Sequence, residues 1–105
     1  MNVSQAKLII HAKITISKSK IELFKSAALE IVEKSRSEKG CISYICTQSL
    51  ENECVFLFVE EWANDEAIAS HFKSENFTDF VGKLKDLSEK PAEIYRYEVN
   101  NIARL

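Results

Sequence analysis

His71, Glu60 and Trp62 are the residues of this chain whose types and placement suit proton chemistry. An imidazole titrates at about 6.5 in an ordinary setting, which makes His71 the best proton acceptor near neutrality. It falls three residues after Ile68, on or beside the apolar stripe of a helical segment, with Phe72 next to it. The plain alternative is a half-buried structural histidine bonded to a backbone carbonyl. Glu60 and Trp62 follow Phe56 and Phe58 at steps of two, so all four share one face of a strand. A carboxylate at the end of an aromatic row is costly to bury without a partner. Glu60 is therefore either a positioned acid/base group or a charge at the sheet rim paired to a lysine. Trp62 reads as a cleft wall or as a core indole with its N–H bonded nearby. Tyr44 and Tyr97 read as core aromatics whose hydroxyls can reach a ligand, and His11 is a weaker candidate, opposite in strand parity to Ala12 and Ile14.

The elements that must position these groups follow from periodicity. Ala6 to Ile16 alternates as a strand. Ser19-Lys20-Ile21-Glu22 has the form of a capping box, and Ile21, Phe24, Ala28, Ile31, Val32 and Ser35 then recur at helical spacing. Gly40 falls where that helix must stop, the natural place for a left-handed cap. Cys41 to Gln48 is a second strand, residues 50–53 turn the chain, and Cys54 to Trp62 is a third strand. Asn64 or Asp65 caps a helix carrying Ala67, Ile68, His71 and Phe72; a further helical piece carries Phe77, Phe80, Val81 and Leu84. Ser88 to Pro91 breaks it, and Glu93 to Val99 is a last strand. The order β-α-β-β-α-β predicts an α+β, ferredoxin-like fold: one antiparallel sheet with the helices on one side.

The third strand carries a further message. Cys54-Val55-Phe56-Leu57-Phe58-Val59 has no polar residue at either parity, so both faces of its sheet require cover. The helices of so short a chain suffice for one face. The other carries Val55, Leu57 and Val59, or else Phe56 and Phe58, and each such side chain left in water forgoes about 1.5–3 kcal/mol. A two-fold homodimer through the sheets is the expected remedy.

Composition narrows the function classes. A chain of 105 residues, 46% hydrophobic and 29% charged, reads as a single domain, 1–105, with a core of its own. Fourteen Lys and Arg against 16 Asp and Glu, scattered without a stripe, offer no case for nucleic acid or an anionic membrane. Met1 to Gln5 lacks the apolar core of a signal peptide, and no segment approaches membrane-spanning length. Cys41, Cys46 and Cys54 form an odd set without Cys-x-x-Cys spacing and read as reduced, buried thiols of a cytoplasmic protein. Two glycines cannot build a dinucleotide fingerprint, no Gly-x-Ser-x-Gly elbow occurs, and the histidines and cysteines lack zinc spacing. An enzyme with this sequence is expected to work without a cofactor or metal, on a mostly apolar substrate.

Three stretches, Ser35 to Tyr44, Glu60-Glu61-Trp62, and Glu66 to Phe72 with Ser74 and Phe77, resemble the antibiotic biosynthesis monooxygenase family. The resemblance runs from the first strand to Val99. It implies a dimeric α+β barrel in which two ferredoxin-like sheets face each other, in agreement with the two-sided apolar strand. Members of the family include cofactor-free quinol and polyketide monooxygenases, haem-degrading enzymes and an isomerase of a phosphorylated sugar. Haem-degrading members use an Asn, a Trp and a His; the matching positions here are read as Ala12, His71 and a residue near Asp79 or Phe80, so the triad is absent and haem degradation is not expected. His71, Glu60 and Trp62 resemble the small quinol-monooxygenase-like branch.

The leading expectation is thus a cofactor-independent monooxygenase acting on a hydroquinone or phenol with dioxygen. His71 is its base, oriented by Glu60, and Trp62, Tyr44, Phe72 and Phe77, with Ala12 and Phe80, line a dry cavity. Two rivals stand beside it. One is an acid–base isomerase of a small polar metabolite, anchored by Arg36 or Arg96. The other is a non-catalytic dimer that binds a small aromatic ligand or protects against quinones.

Overall fold

The computed structural model describes residues 3–105; Met1 and Asn2, the start of the stretch in which no signal-peptide core is expected, lie outside the described residues. Among the described residues, four strands and three α-helices follow in the order β1 (Leu8–Thr15), α1 (Ile21–Arg36), β2 (Cys41–Gln48), β3 (Val55–Trp62), α2 (Asp65–Lys73), α3 (Glu75–Leu87) and β4 (Glu93–Glu98). All pairings are antiparallel and the sheet order is β2-β3-β1-β4, the ferredoxin-like α+β arrangement expected from the element order. No helix among the described residues is long and apolar enough to cross a membrane.

Register decides which side chains meet. Ala12 stands opposite Phe58 and Ile14 opposite Phe56, so this parity of β1 and β3 points to the helices and is buried along both strands. Glu60 and Trp62 continue the same row opposite Ile10 and Leu8, with Tyr44 paired to Glu60 on the other side. Phe24 of α1 fills the middle of this layer, its ring 4.5 Å from that of Phe56 and 6.3 Å from those of Phe58 and Phe80. The opposite parity, Val55, Leu57 and Val59, is only half-buried; of the two pleats left open by the sequence, this is the one that faces away from the helices.

Several local expectations are revised. Ser19 forms no capping box, because residues Lys18–Lys20 make a short 3-10 turn and α1 starts only afterwards with Lys20 at its N-cap and no side-chain cap. The Ser17 carbonyl accepts the Lys20 N–H at 2.8 Å instead. Gly40 does adopt a left-handed φ of 85°, but three residues beyond the Ser37 C-cap, in the turn that delivers β2. A Cβ there would overlap that of Ala67, so the glycine also seats the start of α2. Its carbonyl accepts the Ala63 N–H at 2.9 Å, closing the turn after β3 onto the turn before β2. The three thiols are free and half-buried rather than enclosed, and Cys54 precedes β3 instead of lying in it. β4 is an edge strand exposed along its whole length, tied to the start of α2 by the Arg96–Asp65 ion pair. Tyr97 is consequently no core residue: it lies on the open face, 46% exposed, its ring 4.8 Å from His11.

Candidate active site

Three turns of chain converge beneath α2. Asn64 caps α2 by accepting the Ala67 N–H at 2.8 Å, which fixes the helix phase and turns His71 inward. The helix ends two residues later. Ser74 donates its hydroxyl to the His71 carbonyl at 2.7 Å and accepts the Phe77 N–H at 3.1 Å, so one side chain closes α2 and opens α3. The imidazole is completely buried. Its Nδ1 lies 2.6 Å from Glu38 Oε1, and its Nε2 lies 3.4 Å from the Tyr44 hydroxyl.

These partners assign the tautomer. An ionised carboxylate only accepts, so Nδ1–H donates to Glu38 and Nε2 keeps its lone pair towards Tyr44. Burial holds the imidazole below its usual pKa, and the Glu38 carboxylate opposes that shift without cancelling it. The result is a neutral base whose imidazolium form has a counter-ion already in place. Glu38 comes from the turn between α1 and β2 and reaches the ring from its outer side, still 20% exposed in its side chain. The expectation that Glu60 orients His71 is therefore corrected: Glu38 does so.

Glu60 belongs to the same layer with a different partner. It is 4% exposed, and its Oε1 accepts the Trp62 indole N–H at 3.0 Å. Desolvation pushes its carboxyl up to about 7, against the pull of that hydrogen bond. Tyr44, paired with it across the strands, has its phenol raised chiefly by burial and next by the nearby Glu60 carboxylate. Ser35 of α1 adds a fully buried hydroxyl with no hydrogen-bond partner among the described residues. An acid poised near neutrality, a neutral base and an un-ionised phenol thus share one water-poor layer, the combination that proton transfer requires.

The surroundings are aromatic. The ring centroids of Trp62, Phe77, Tyr44 and Phe72 lie 4.9, 5.0, 5.4 and 5.7 Å from that of His71. Trp62, Tyr44, Phe72 and Phe77, all read from sequence as cavity walls, are therefore brought together. The imidazole is buried among these rings themselves, and the grooves described on the molecule are lined by other residues. Trp62 and Tyr44 are buried, whereas Phe72 is 43% exposed and Phe77 half-buried, so the outer wall consists of the two phenylalanines astride Ser74. Ala12 and Phe80 sit further along the layer, meeting Phe58 rather than His71. The indole beside the imidazole is that of Trp62. Arg96 pairs with Asp65 at 2.8 Å and Arg36 donates to the Tyr44 carbonyl at 3.0 Å, so neither supplies a cation to His71. No cluster of three or more His, Cys, Asp and Glu able to hold a metal occurs among the described residues.

Glu38 and Ser35 are the members of this layer that sequence reasoning passed over. Both lie inside the Ser35 to Tyr44 stretch, but Glu38 follows the last helical residue and gives no periodic signal. Only the return of the chain at Gly40 could have placed it near α2.

Comparison with known proteins agrees with this architecture. The profile of the antibiotic biosynthesis monooxygenase family matches residues 7–83. An uncharacterised Synechocystis protein, sll1783, is 38% identical over 92 residues, which make up 88% of this chain and 63% of that protein, so the chain spans less than two thirds of its relative. The Bacillus subtilis protein YcnE, a monooxygenase in name, is 30% identical over 93 residues, covering 89% of this chain and 98% of its own. A Deinococcus radiodurans structure bearing the antibiotic biosynthesis monooxygenase name superposes with a TM-score of 0.88 at 24% identity, over 93% of this chain and 97% of that one, and speaks for the fold alone. By its profile and by its relatives, this chain belongs to the antibiotic biosynthesis monooxygenase family.

Proposed function

We propose that the protein is a cofactor-independent monooxygenase that oxidises a hydroquinone or related phenol with dioxygen. The observation that carries this reading is the buried neutral imidazole, with Glu38 behind Nδ1 and the lone pair of Nε2 directed into an aromatic enclosure. A hydroquinol that displaces Phe72 or Phe77 at the Ser74 break meets Nε2 with its hydroxyl. Proton transfer to His71 leaves a phenolate in a dry site, and the imidazolium is stabilised by the Glu38 carboxylate. The phenolate is electron-rich enough to reduce dioxygen directly. One oxygen atom enters the ring and the other departs as water, so hydroquinone plus dioxygen yields hydroxyquinone plus water. Glu60 supplies or receives the second proton beside Trp62, while Ala12 and Phe80 bound the depth of the opened cavity across Phe58. Oxygen uptake with a panel of hydroquinols tests the proposal: His71→Ala is expected to lose 100-fold or more of the rate, as removal of a general base does. Unchanged uptake in that variant would remove His71 from the mechanism.

The active unit in this reading is a homodimer formed through the open faces of two sheets. Val55, Leu57, Val59 and Ile45, with Tyr95 and Tyr97, supply the apolar surface, and the three free thiols suit a reducing compartment such as the cytoplasm. Sedimentation of the native protein at micromolar concentration is expected to show twice the chain mass, and Val59→Lys to return it to the monomer. A native monomer would overturn the dimer.

One observation favours a second reading, a ligand-binding protein without turnover: the enclosure is filled by its own side chains. Saturable quenching of Trp62 fluorescence by quinols, with neither oxygen consumed nor product formed, selects that alternative.

A further inference from the structure

We propose that a second site, the groove between α1 and the edge strand β2, binds a small amphipathic anion: an aromatic or medium-chain carboxylate. The groove encloses about 420 Å³, within the range of small-molecule sites. Its walls are Ala28, Leu29 and Val32 of α1 against Ile45 and Cys46 of β2, with Phe56 as floor. Leu29 is 70% exposed and has no apolar cover from the rest of the chain, an odd use of leucine on a helix whose inner face already packs the sheet.

Charge selects the occupant. Lys25 and Arg36 are the only charged residues lining the groove, in a chain whose net charge is -2. They stand at the two ends of the same helical stripe, about 16 Å apart along the axis for eleven residues at 1.5 Å each. Arg36 is held by its Nε–H bond to the Tyr44 carbonyl at 3.0 Å, and no carboxylate pairs with it among the described residues. Lys25 meets only Glu22, in an exposed pair at 3.3 Å that water screens. An apolar trough with a fixed guanidinium at one end matches a carboxylate head and a hydrocarbon or aryl body. The groove stops one same-face residue short of Tyr44, at Cys46, so it is separate from the His71 enclosure. Burial keeps the Cys46 thiol neutral, with its pKa pushed up to about 12, and it therefore acts as apolar lining.

The experiment is an amide chemical-shift titration of the intact chain with decanoate and 4-tert-butylbenzoate. Saturable shifts confined to residues 25–36 and 45–48 are expected, weakened about tenfold by Arg36→Gln and abolished by Leu29→Asp. Both positions are surface-facing, and an unchanged spectrum elsewhere shows that the fold is kept. Equal binding of decanol would overturn the choice of an anion. Absence of saturation at millimolar ligand would overturn the site. Concentration-dependent shifts of residues 25–36 without ligand would assign the groove to a second copy and overturn the proposal, whereas such shifts at Ile45 alone would report the sheet-to-sheet dimer and leave the groove free. None of these outcomes depends on oxygen uptake, so the proposal and the monooxygenase reading fail separately.

Discussion

Strand β3 sends Phe56 and Phe58 into one end of the helix-covered layer and Glu60 and Trp62 into the other, and the two ends are built differently. At the first end, Phe24, Phe56, Phe58 and Phe80 pack edge and face with no polar atom among their side chains. At the second, Tyr44, Glu60, Trp62 and His71 bring titratable groups into equal burial, with Ser35 Oγ lacking a hydrogen-bond partner among the described residues. An unsatisfied buried hydroxyl alone costs about 1–3 kcal/mol. Packing explains the phenylalanine end completely. It does not explain a carboxyl held up to about 7 beside a neutral imidazole, because apolar side chains of similar volume would fill that space at lower cost. The contrast separates two roles: the phenylalanine end is accounted for by packing, and the other end is where the proposed proton transfer would take place.

The comparison breaks most visibly under substitution of opposite sign. Phe24→Ala opens the phenylalanine end, and its expected cost is about 3–5 kcal/mol in urea unfolding, at any pH. Glu60→Gln should act the other way. Because burial raises the folded carboxyl above its ordinary value near 4.3, the native state holds a proton that the unfolded chain releases between that value and about 7. Stability falls as pH rises through this window, by up to about 4 kcal/mol, and is level above it. The imidazole slopes in the opposite sense: depressed in the fold, it loses stability as pH drops below about 6.5. Subtracting the wild-type curve from that of Glu60→Gln removes the histidine contribution. The difference should be near zero at pH 4 and grow to its full value by pH 8 in favour of glutamine. A difference independent of pH would mean that Glu60 is solvated in the native state and that the two ends differ less than their geometry indicates.

Which parts of this were legible beforehand follows from the range of the signal. The β-α-β-β-α-β order, the shared row of Phe56, Phe58, Glu60 and Trp62 (though not which pleat turns inward), and the break between the last two helices are periodicities of two or 3.6 residues, readable in a short window. The partner of His71 was not, because Glu38 is 33 residues away and sits in a turn with no period. Glu60 was the nearer candidate by type, yet the indole two residues on in its own strand engages it instead. β4 misled for a related reason: Ile94, Tyr95 and Tyr97 look like a core strand, but β4 lies at the sheet edge and Tyr95 and Tyr97, paired with His11 and Ile9, face away from the helices. The closed enclosure also lay beyond reading, since the same aromatic residues describe a lined cavity or a filled one.

Gly40 links the two regions through the backbone. Gly40→Ala must hold a left-handed φ and push against Ala67, for an expected loss of about 2 kcal/mol or more. The loss should fall on the polar end. Amide exchange in α2 should accelerate, while α1 near Phe24 keeps its protection; uniform acceleration would show that the two ends unfold as one unit.

The smallest expected effect compares two helix starts. Asn64 accepts the Ala67 N–H and begins the helix that carries His71, whereas Ser19 lies in the 3-10 turn before the helix that carries Phe24 and caps nothing. Asn64→Ala should therefore cost about 1 kcal/mol. Ser19→Ala should stay within about 0.5 kcal/mol, the ordinary range for a surface change. The pair is sharper than either alone, because both residues are short polar groups just ahead of a helix and differ only in whether the first turn is α or 3-10. If Ser19→Ala costs as much as Asn64→Ala, the capping box forms in solution, α1 begins earlier, and the phenylalanine end depends on a side-chain cap after all. If both are silent, α2 is held by packing alone, and the orientation of His71 rests on Glu38 and Ser74 rather than on the phase of its helix.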